Sequence, residues 1–199
     1  MARPRKSDCQ EMATEKIERT FWALLETEPY SEITVRRIVQ EVGVNHNTFY
    51  YHYKDINDLA YQALMHNADN EVSRTLVAAL ISSFQTENGN AFVFDLSLFP
   101  YTKRIMLCAA SDSTFLTRIT HDLLKDVWLS SLHLKEDMLS PAEKLQVNFI
   151  FAGLVATLGS PEIQKKPLSL SALANSELGD AMMATLMKVA SRIEKQQEL

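Results

Sequence analysis

The segment from Asn45 to His52 carries side chains that form hydrogen bonds or stack, with little that suits a buried core. It reads Asn-His-Asn-Thr-Phe-Tyr-Tyr-His, has no acidic residue, and offers Phe49 as its clear core position. Amides, hydroxyls and flat rings bind the phosphates and base edges of DNA, whereas a helix that faces only water usually carries Glu and Lys. The segment therefore predicts a DNA-reading helix. The alternative is a helix with half-buried tyrosines and with histidines of no special role.

The residues before this segment predict the elements that hold it. Thr34 can cap a helix from Val35 to Val42, and Gly43 suits the left-handed turn that stops it. Asn45 can then cap a second short helix that ends near His52. Two short helices joined by a turn of three or four residues with a glycine form a helix-turn-helix. The apolar side chains available for the core of this motif are Ile38, Val39, Val42, Val44 and Phe49.

The composition favours an all-α protein. The 199-residue chain holds only five glycines and six prolines, and residues that favour helices are abundant. No stretch alternates polar and apolar residues for long enough to argue for a sheet. Residues 160–171, with two prolines, are expected to form a connection. Outside the two short helices, apolar spacing predicts helices near residues 10–27, 57–83, 98–110, 113–132, 141–158 and 173–195.

The charge of the chain is unevenly distributed. Its formal net charge is −5, which taken alone argues against binding to nucleic acid. Between residues 33 and 54, however, three basic residues stand against one acidic residue, and residues 1–8 have the same balance. Residues 57–199 hold twelve basic and sixteen acidic residues. The distribution predicts that DNA is attracted to the N-terminal end of the protein and not to the rest.

Several classes of protein are disfavoured by what the sequence lacks. No apolar run approaches the roughly 20 residues that cross a bilayer, and the basic start is not followed by a signal-peptide stretch, so we expect a cytoplasmic protein without membrane contact. Cys9 and Cys108 provide no disulfide framework, and the five histidines show no metal-ligand spacing. No nucleophile elbow, phosphate-binding glycine loop or recognisable pair of catalytic carboxylates is present. We therefore expect neither an enzyme nor a cofactor.

The string Gly-Val-Asn-His-Asn-Thr-Phe-Tyr-Tyr-His-Tyr-Lys-Asp, preceded by Thr-Val-Arg-Arg-Ile-Val, resembles the DNA-binding domain of the TetR family of bacterial transcriptional regulators. The resemblance covers about residues 10–64 and is densest over residues 43–59. It implies a ligand-responsive dimeric regulator, a repressor, that binds a palindromic operator. The basic residues at the start predict a flexible arm (1–8). The resemblance implies a helix-turn-helix domain (9–56) and a helical ligand-binding and dimerisation domain (57–199), with a connecting helix at 57–83.

The resemblance also implies roles for individual residues. Thr34, Thr48, Tyr50 and His52 would contact backbone phosphates, and His46, Asn47 and Tyr51 occupy positions from which base edges are reached. The family often has Ala, Gly and Lys where this chain has Val39, Asn47 and Ile56, so Lys54 is expected to replace one phosphate contact. The predicted DNA-binding residues are Thr34, Arg36, Arg37, Asn45, His46, Asn47, Thr48, Tyr50, Tyr51, His52 and Lys54.

The later helices are expected to enclose a small-molecule effector and to pair two subunits as a four-helix bundle. For each pocket residue the alternative is an ordinary core position, and for the paired helices it is packing inside a monomer. The predicted pocket residues are Phe84, Phe99, Tyr101, Met106, Phe115, Arg118, His121 and Trp128. The predicted dimer residues are Leu145, Phe149, Ala152, Gly153, Ala156, Leu178, Met182, Leu186, Val189 and Ile193.

A second hypothesis keeps the DNA-binding domain but changes the partner. In it the protein is a TetR-like co-activator or adaptor whose C-terminal helices bind another protein instead of a small molecule. Release of the protein from DNA by a protein-free metabolite extract distinguishes the two hypotheses.

Overall fold

The computed structural model describes residues 6–66, 100–165 and 176–197 of the 199-residue chain. These residues form α-helices and two short 3-10 helices and contain no β-strand, which confirms the predicted all-α class. The α-helices are α1 (Lys6–Leu25), α2 (Val35–Val42), α3 (His46–His52), α4 (Ile56–Met65), α5 (Pro100–Ala110), α6 (Thr114–Ser131), α7 (Pro141–Leu158), α8 (Pro161–Lys165) and α9 (Glu177–Gln197). The 3-10 helices are Tyr30–Glu32 and Glu136–Met138.

The ends of α2 and α3 lie where local signals predict them. The Thr34 hydroxyl oxygen accepts a hydrogen bond from the backbone N–H of Arg37 at 3.2 Å. Gly43 adopts φ +74°, and its N–H bonds the carbonyl of Val39 at 3.0 Å. Only glycine enters this left-handed region without a penalty from Cβ. The turn between the helices is therefore set by residues within four positions of it.

Two predictions of where helical segments begin and end are wrong. The first helix begins at Lys6, so residues 6–8 of the predicted arm are helical, and no proline or glycine interrupts the chain from there to Leu25. Residues 1–5 lie outside the described residues. The expected connection at 160–171 contains α8, because Pro161 suits a first helical position and Ile163 buries its side chain. The predicted helical residues 67–83, 98–99 and 173–175 also lie outside the described part.

The N-terminal core joins α1 to α4 and continues into α5 and α6. Ile17, Phe21 and Phe49 are fully buried, and α4 adds Leu59 and Leu64 to the same cluster. The predicted domain boundary between residues 56 and 57 therefore does not separate two cores, since the start of α4 packs within the helix-turn-helix domain and not only as a connector. The residues that α5 and α6 contribute to this cluster are Cys108, Leu116, Ile119 and Leu123.

A second core lies between α6, α7 and α9. Trp128, Val147 and Val189 are buried in it. The Arg192 side chain of α9 donates a hydrogen bond to Glu143 of α7 through Nη2 at 2.7 Å, which fixes the end of one helix against the start of the other.

The C-terminal end of α7 comes very close to α5. A Cβ atom on Gly159 would lie 2.3 Å from the backbone oxygen of Ala109, so a larger residue would force the two helices apart. Cys108 lies beside this contact and is fully buried. Burial raises the pKa of its thiol to about 12, although a hydrogen bond with Thr120 opposes the shift. Its burial and the direction of its pKa shift are those of a packed core residue and not of a reactive thiol.

Among the helices of the described residues, none is both long enough and apolar enough to span a membrane.

Candidate nucleic-acid interface

Helix α3 has one buried face and one free face. Phe49 is fully buried, and Tyr53, directly after the helix, is nearly so. Residues two positions apart on a helix point about 200° apart, so Asn47 and Tyr51 project away from Phe49. Tyr51 is 70% exposed and Tyr50 is 56% exposed. The helix therefore presents amide and phenol groups to the outside while one aromatic ring anchors it.

The N-terminal cap of α3 engages two of the predicted contact residues with each other. The Asn45 side-chain oxygen Oδ1 accepts the Thr48 backbone N–H at 2.8 Å and the Thr48 hydroxyl at 3.1 Å. Phosphate oxygens only accept hydrogen bonds, and the hydrogen of the Thr48 hydroxyl is already donated. Thr48 can therefore bind a phosphate through its hydroxyl only if this cap bond breaks. The cap stabilises the helix end that would face DNA.

The C-terminal end of α3 is held against α1 and α4. The Tyr53 hydroxyl donates to Glu18 Oε1 at 3.0 Å, and His66 Nδ1 lies 2.7 Å from the same oxygen. Burial raises the pKa of the Tyr53 phenol, and the neighbouring Glu18 charge raises it further. The phenol therefore stays protonated and keeps donating to Glu18. No local pattern in the sequence predicts this contact, because the two residues are 35 positions apart.

The flank of the motif near α2 combines free and paired basic residues. Arg37 lies 3.2 Å from Glu28 and 3.3 Å from Glu41, so two carboxylates already offset its charge. Arg36 is exposed and forms no ion pair within the described residues. Surface pairs of this kind are weak, so a phosphate could still compete for Arg37. Arg36 is the cation most available to DNA on this flank.

The turn into α4 is built from two reciprocal carboxylate caps. Asp55 accepts the Asp58 backbone N–H at 2.8 Å, and Asp58 accepts the Lys54 backbone N–H at 2.8 Å. Hydrogen bonds from the Gln62 side chain and from the Lys54 backbone lower the pKa of Asp58. These caps fix the backbone of Lys54, whose side chain is exposed beside α3. The role of Asp58 was missed in the sequence, although an acidic residue in a first helical turn is a recognisable signal.

The comparison with protein families is decisive for this part of the chain. Residues 22–63 match the family model described as bacterial regulatory proteins, tetR family. The N-terminal region is a TetR-family helix-turn-helix domain. No curated protein and no solved structure matches the chain. The resemblance inferred from the motif is confirmed for this N-terminal region.

Most of the predicted contact residues are exposed in this TetR-family domain. The exceptions are Thr48 and His52, whose side chains are half-buried. The His52 ring packs edge-on against the Tyr51 ring, with 4.9 Å between the ring centres. Their contacts with DNA remain predictions. The exposed members are Thr34, Arg36, Arg37, Asn45, His46, Asn47, Tyr50, Tyr51 and Lys54.

The predicted effector residues do not form a single cluster in the described part of the chain. Met106 and Trp128 are buried in separate apolar clusters, and Tyr101 and Phe115 pack against the N-terminal core. The Tyr101 hydroxyl donates to the backbone oxygen of Leu64 at 3.0 Å. The effector pocket therefore stays a prediction. Among the remaining predicted pocket residues, the Arg118 guanidinium stacks over the Phe115 ring and His121 contacts Asp122. Phe84 and Phe99 lie outside the described residues.

The predicted dimer residues divide into an exposed set and a buried set. Phe149 is 81% exposed and Leu145 is 72% exposed. Leu186, Val189 and Ile193 instead pack in the core between α6, α7 and α9 of the same subunit, so they are core residues and offer almost no surface to a partner. The apolar residues of α9 cover more than one face, and the sequence alone does not say which face turns inward. Of the remainder, Ala152, Gly153, Ala156 and Leu178 are exposed and Met182 is half-buried.

The described ranges contain no group of three or more His, Cys, Asp or Glu side chains arranged to hold a metal ion.

Proposed function

We propose that the protein is a dimeric, ligand-responsive repressor that reads a palindromic operator through α3. The observation that carries the proposal is the free face of α3, where Asn47 and Tyr51 project away from the buried ring of Phe49. A reading helix needs hydrogen-bonding side chains at its outer face and a fixed backbone behind them. The Asn45 cap and the Tyr53–Glu18 hydrogen bond supply that fixed backbone at its two ends.

The exposed apolar face of α7 supports the dimer. We define the α7 stripe as Leu145, Phe149, Ala152, Gly153 and Ala156, whose spacing places them along one side of the helix. A phenylalanine that is 81% exposed favours burial against a partner. A second copy of the chain is the occupant we propose, because a single helix-turn-helix contacts few phosphates and binds DNA weakly. Small residues at the far end of the stripe would let two helices approach closely.

The contacts between α5 and the helix-turn-helix domain support ligand control. Lys103 lies 2.8 Å from Glu26, the Arg104 guanidinium stacks 5.1 Å from the centre of the Trp22 ring, and Tyr101 bonds the end of α4. An effector that binds differently to two arrangements of the C-terminal helices would shift α5 and, through these contacts, the spacing of the two reading helices. Spacing decides affinity, because half-sites on one DNA face are about 34 Å apart or a multiple of that.

Selection from a randomised duplex library tests the proposal. The full-length protein should enrich an inverted repeat, and a footprint on that sequence should show two protected segments on one face of the duplex. Enrichment of no sequence would contradict the reading role of α3. Enrichment of a single, unrepeated site would contradict the dimer.

Release of the bound repeat tests the ligand. A metabolite extract freed of protein should dissociate the complex. If only the protein fraction of the same extract dissociates it, the co-activator or adaptor hypothesis is favoured instead.

A further inference from the structure

We infer that Asn47 sets the operator sequence by reading an adenine in each half-site. This inference rests on the proposed reading role of α3 and adds which base is read and by which side chain. The cap residue Asn45 and several polar or aromatic residues of α3 could reach a base edge, so the argument depends on which side chains are free to bond a base and which way they point.

The cap removes two candidates. Asn45 has its side-chain oxygen committed to the Thr48 backbone N–H and hydroxyl, at 2.8 and 3.1 Å. An amide whose oxygen is engaged in this way cannot pair with a base through donor and acceptor together. Thr48 is half-buried and has donated both of its hydrogens to Asn45. Neither residue is therefore the source of base discrimination in this arrangement.

Asn47 has the properties that the other two lack. It is the second residue of α3, exposed, and its side chain forms no hydrogen bond within the described residues. The first residues of a recognition helix are those that meet base edges in the major groove. Adenine presents a donor at N6 and an acceptor at N7 there, and the asparagine amide matches that pair with its own acceptor and donor.

The neighbours of Asn47 do not offer the same match. Tyr51 lies one turn further on the same face, and its single hydroxyl cannot make two parallel hydrogen bonds. His46 points closer to the side of the buried Phe49, since three residues on a helix are about 300° apart. Its two ring nitrogens also point in divergent directions. Asn47 is thus the residue of α3 that can distinguish A·T from the other base pairs by a bidentate contact.

The test compares the sequence preferences of two variants with those of the full-length wild type. Asn47→Ala should keep binding to nonspecific duplex and lose the preference for A·T at one symmetric position of each half-site, by about 5- to 150-fold. Gln40→Ala is the matched control, because it removes an exposed amide from α2 at a position that is not among the predicted contact residues. It should keep the wild-type preference.

The outcomes separate this inference from the proposed function. If Asn47→Ala enriches the wild-type sequence with the same A·T preference, the inference is overturned while the reading role of α3 stands. If Gln40→Ala loses that preference as fully as Asn47→Ala does, the loss is not specific to Asn47 and the inference is equally overturned. If the wild type enriches no sequence, both fail together.

Discussion

Tyr53, which follows the last residue of the reading helix, donates its hydroxyl hydrogen to Glu18 of α1 at 3.0 Å. The same carboxylate oxygen lies 2.7 Å from Nδ1 of His66, at the end of α4. One side chain of α1 therefore holds the end of α3 and the end of α4. This arrangement fixes the direction in which α3 leaves the core, and so the direction in which its free face points.

Replacement of Tyr53 by Phe should lower the free energy of unfolding by about 1–2 kcal/mol, because a half-buried hydrogen bond to a carboxylate is lost while the ring remains. Urea denaturation followed by circular dichroism measures the change. Tyr51→Phe is the control, since that hydroxyl is on an exposed ring and its removal should change stability by less than about 0.5 kcal/mol. Equal losses in the two variants would contradict the role of the Glu18 contact.

Replacement of Gly43 by Ala should destabilise the helix-turn-helix by about 1–2 kcal/mol. No atom lies within 4 Å of a Cβ placed at this position, so the cost comes from the φ of +74° and not from a clash. Gly43→Asn should cost less, because asparagine tolerates the left-handed region better than alanine. Thermal unfolding of the two variants checks the order, and an alanine variant as stable as the wild type would refute the explanation.

The stabilisation provided by Asp58 should disappear in acid. Hydrogen bonds from Gln62 and from the Lys54 backbone lower its pKa in the folded state. A lowered pKa means that the carboxylate stabilises the fold above the pKa of the unfolded chain, about 4, and that this contribution is lost as the pH falls through the folded value. The wild type should exceed Asp58→Asn in unfolding free energy at pH 7, and the difference should shrink below about pH 4. A difference that stays constant from pH 7 to pH 3 would show that the charge plays no part.

Replacement of Phe149 by Glu should convert a dimer into a monomer. The side chain is 81% exposed on the α7 stripe, so the change does not disturb the core of the subunit but places a charge in the proposed interface. Sedimentation equilibrium measures the mass. Tyr61→Glu, an exposed aromatic residue of α4 outside the stripe, is the control and should remain dimeric. A Phe149→Glu protein with the mass of the wild-type dimer would place the interface elsewhere.

The sequence predicts the reading motif well because its signals are local. Thr34, Gly43 and Asn45 each act on a backbone group within four residues, so their types alone locate the ends of α2 and α3. Contacts between residues far apart in the sequence have no such local signal. Nothing in the sequence pairs Tyr53 with Glu18, and nothing in it says which face of α9 turns inward. Those features depend on how helices pack, and packing selects among apolar faces that look equivalent in the sequence.

The most direct test of the reading role of α3 is the affinity of Tyr50→Ala for the selected operator, measured by fluorescence anisotropy at one fixed salt concentration. Tyr50 is 56% exposed beside the buried Phe49, so the variant should keep its fold and its oligomeric state. Tyr61→Ala serves as the matched control, because it removes an exposed tyrosine from α4. The account predicts that Tyr50→Ala loses operator binding while Tyr61→Ala keeps it. A folded Tyr50→Ala protein that binds the operator as tightly as the wild type would contradict the account.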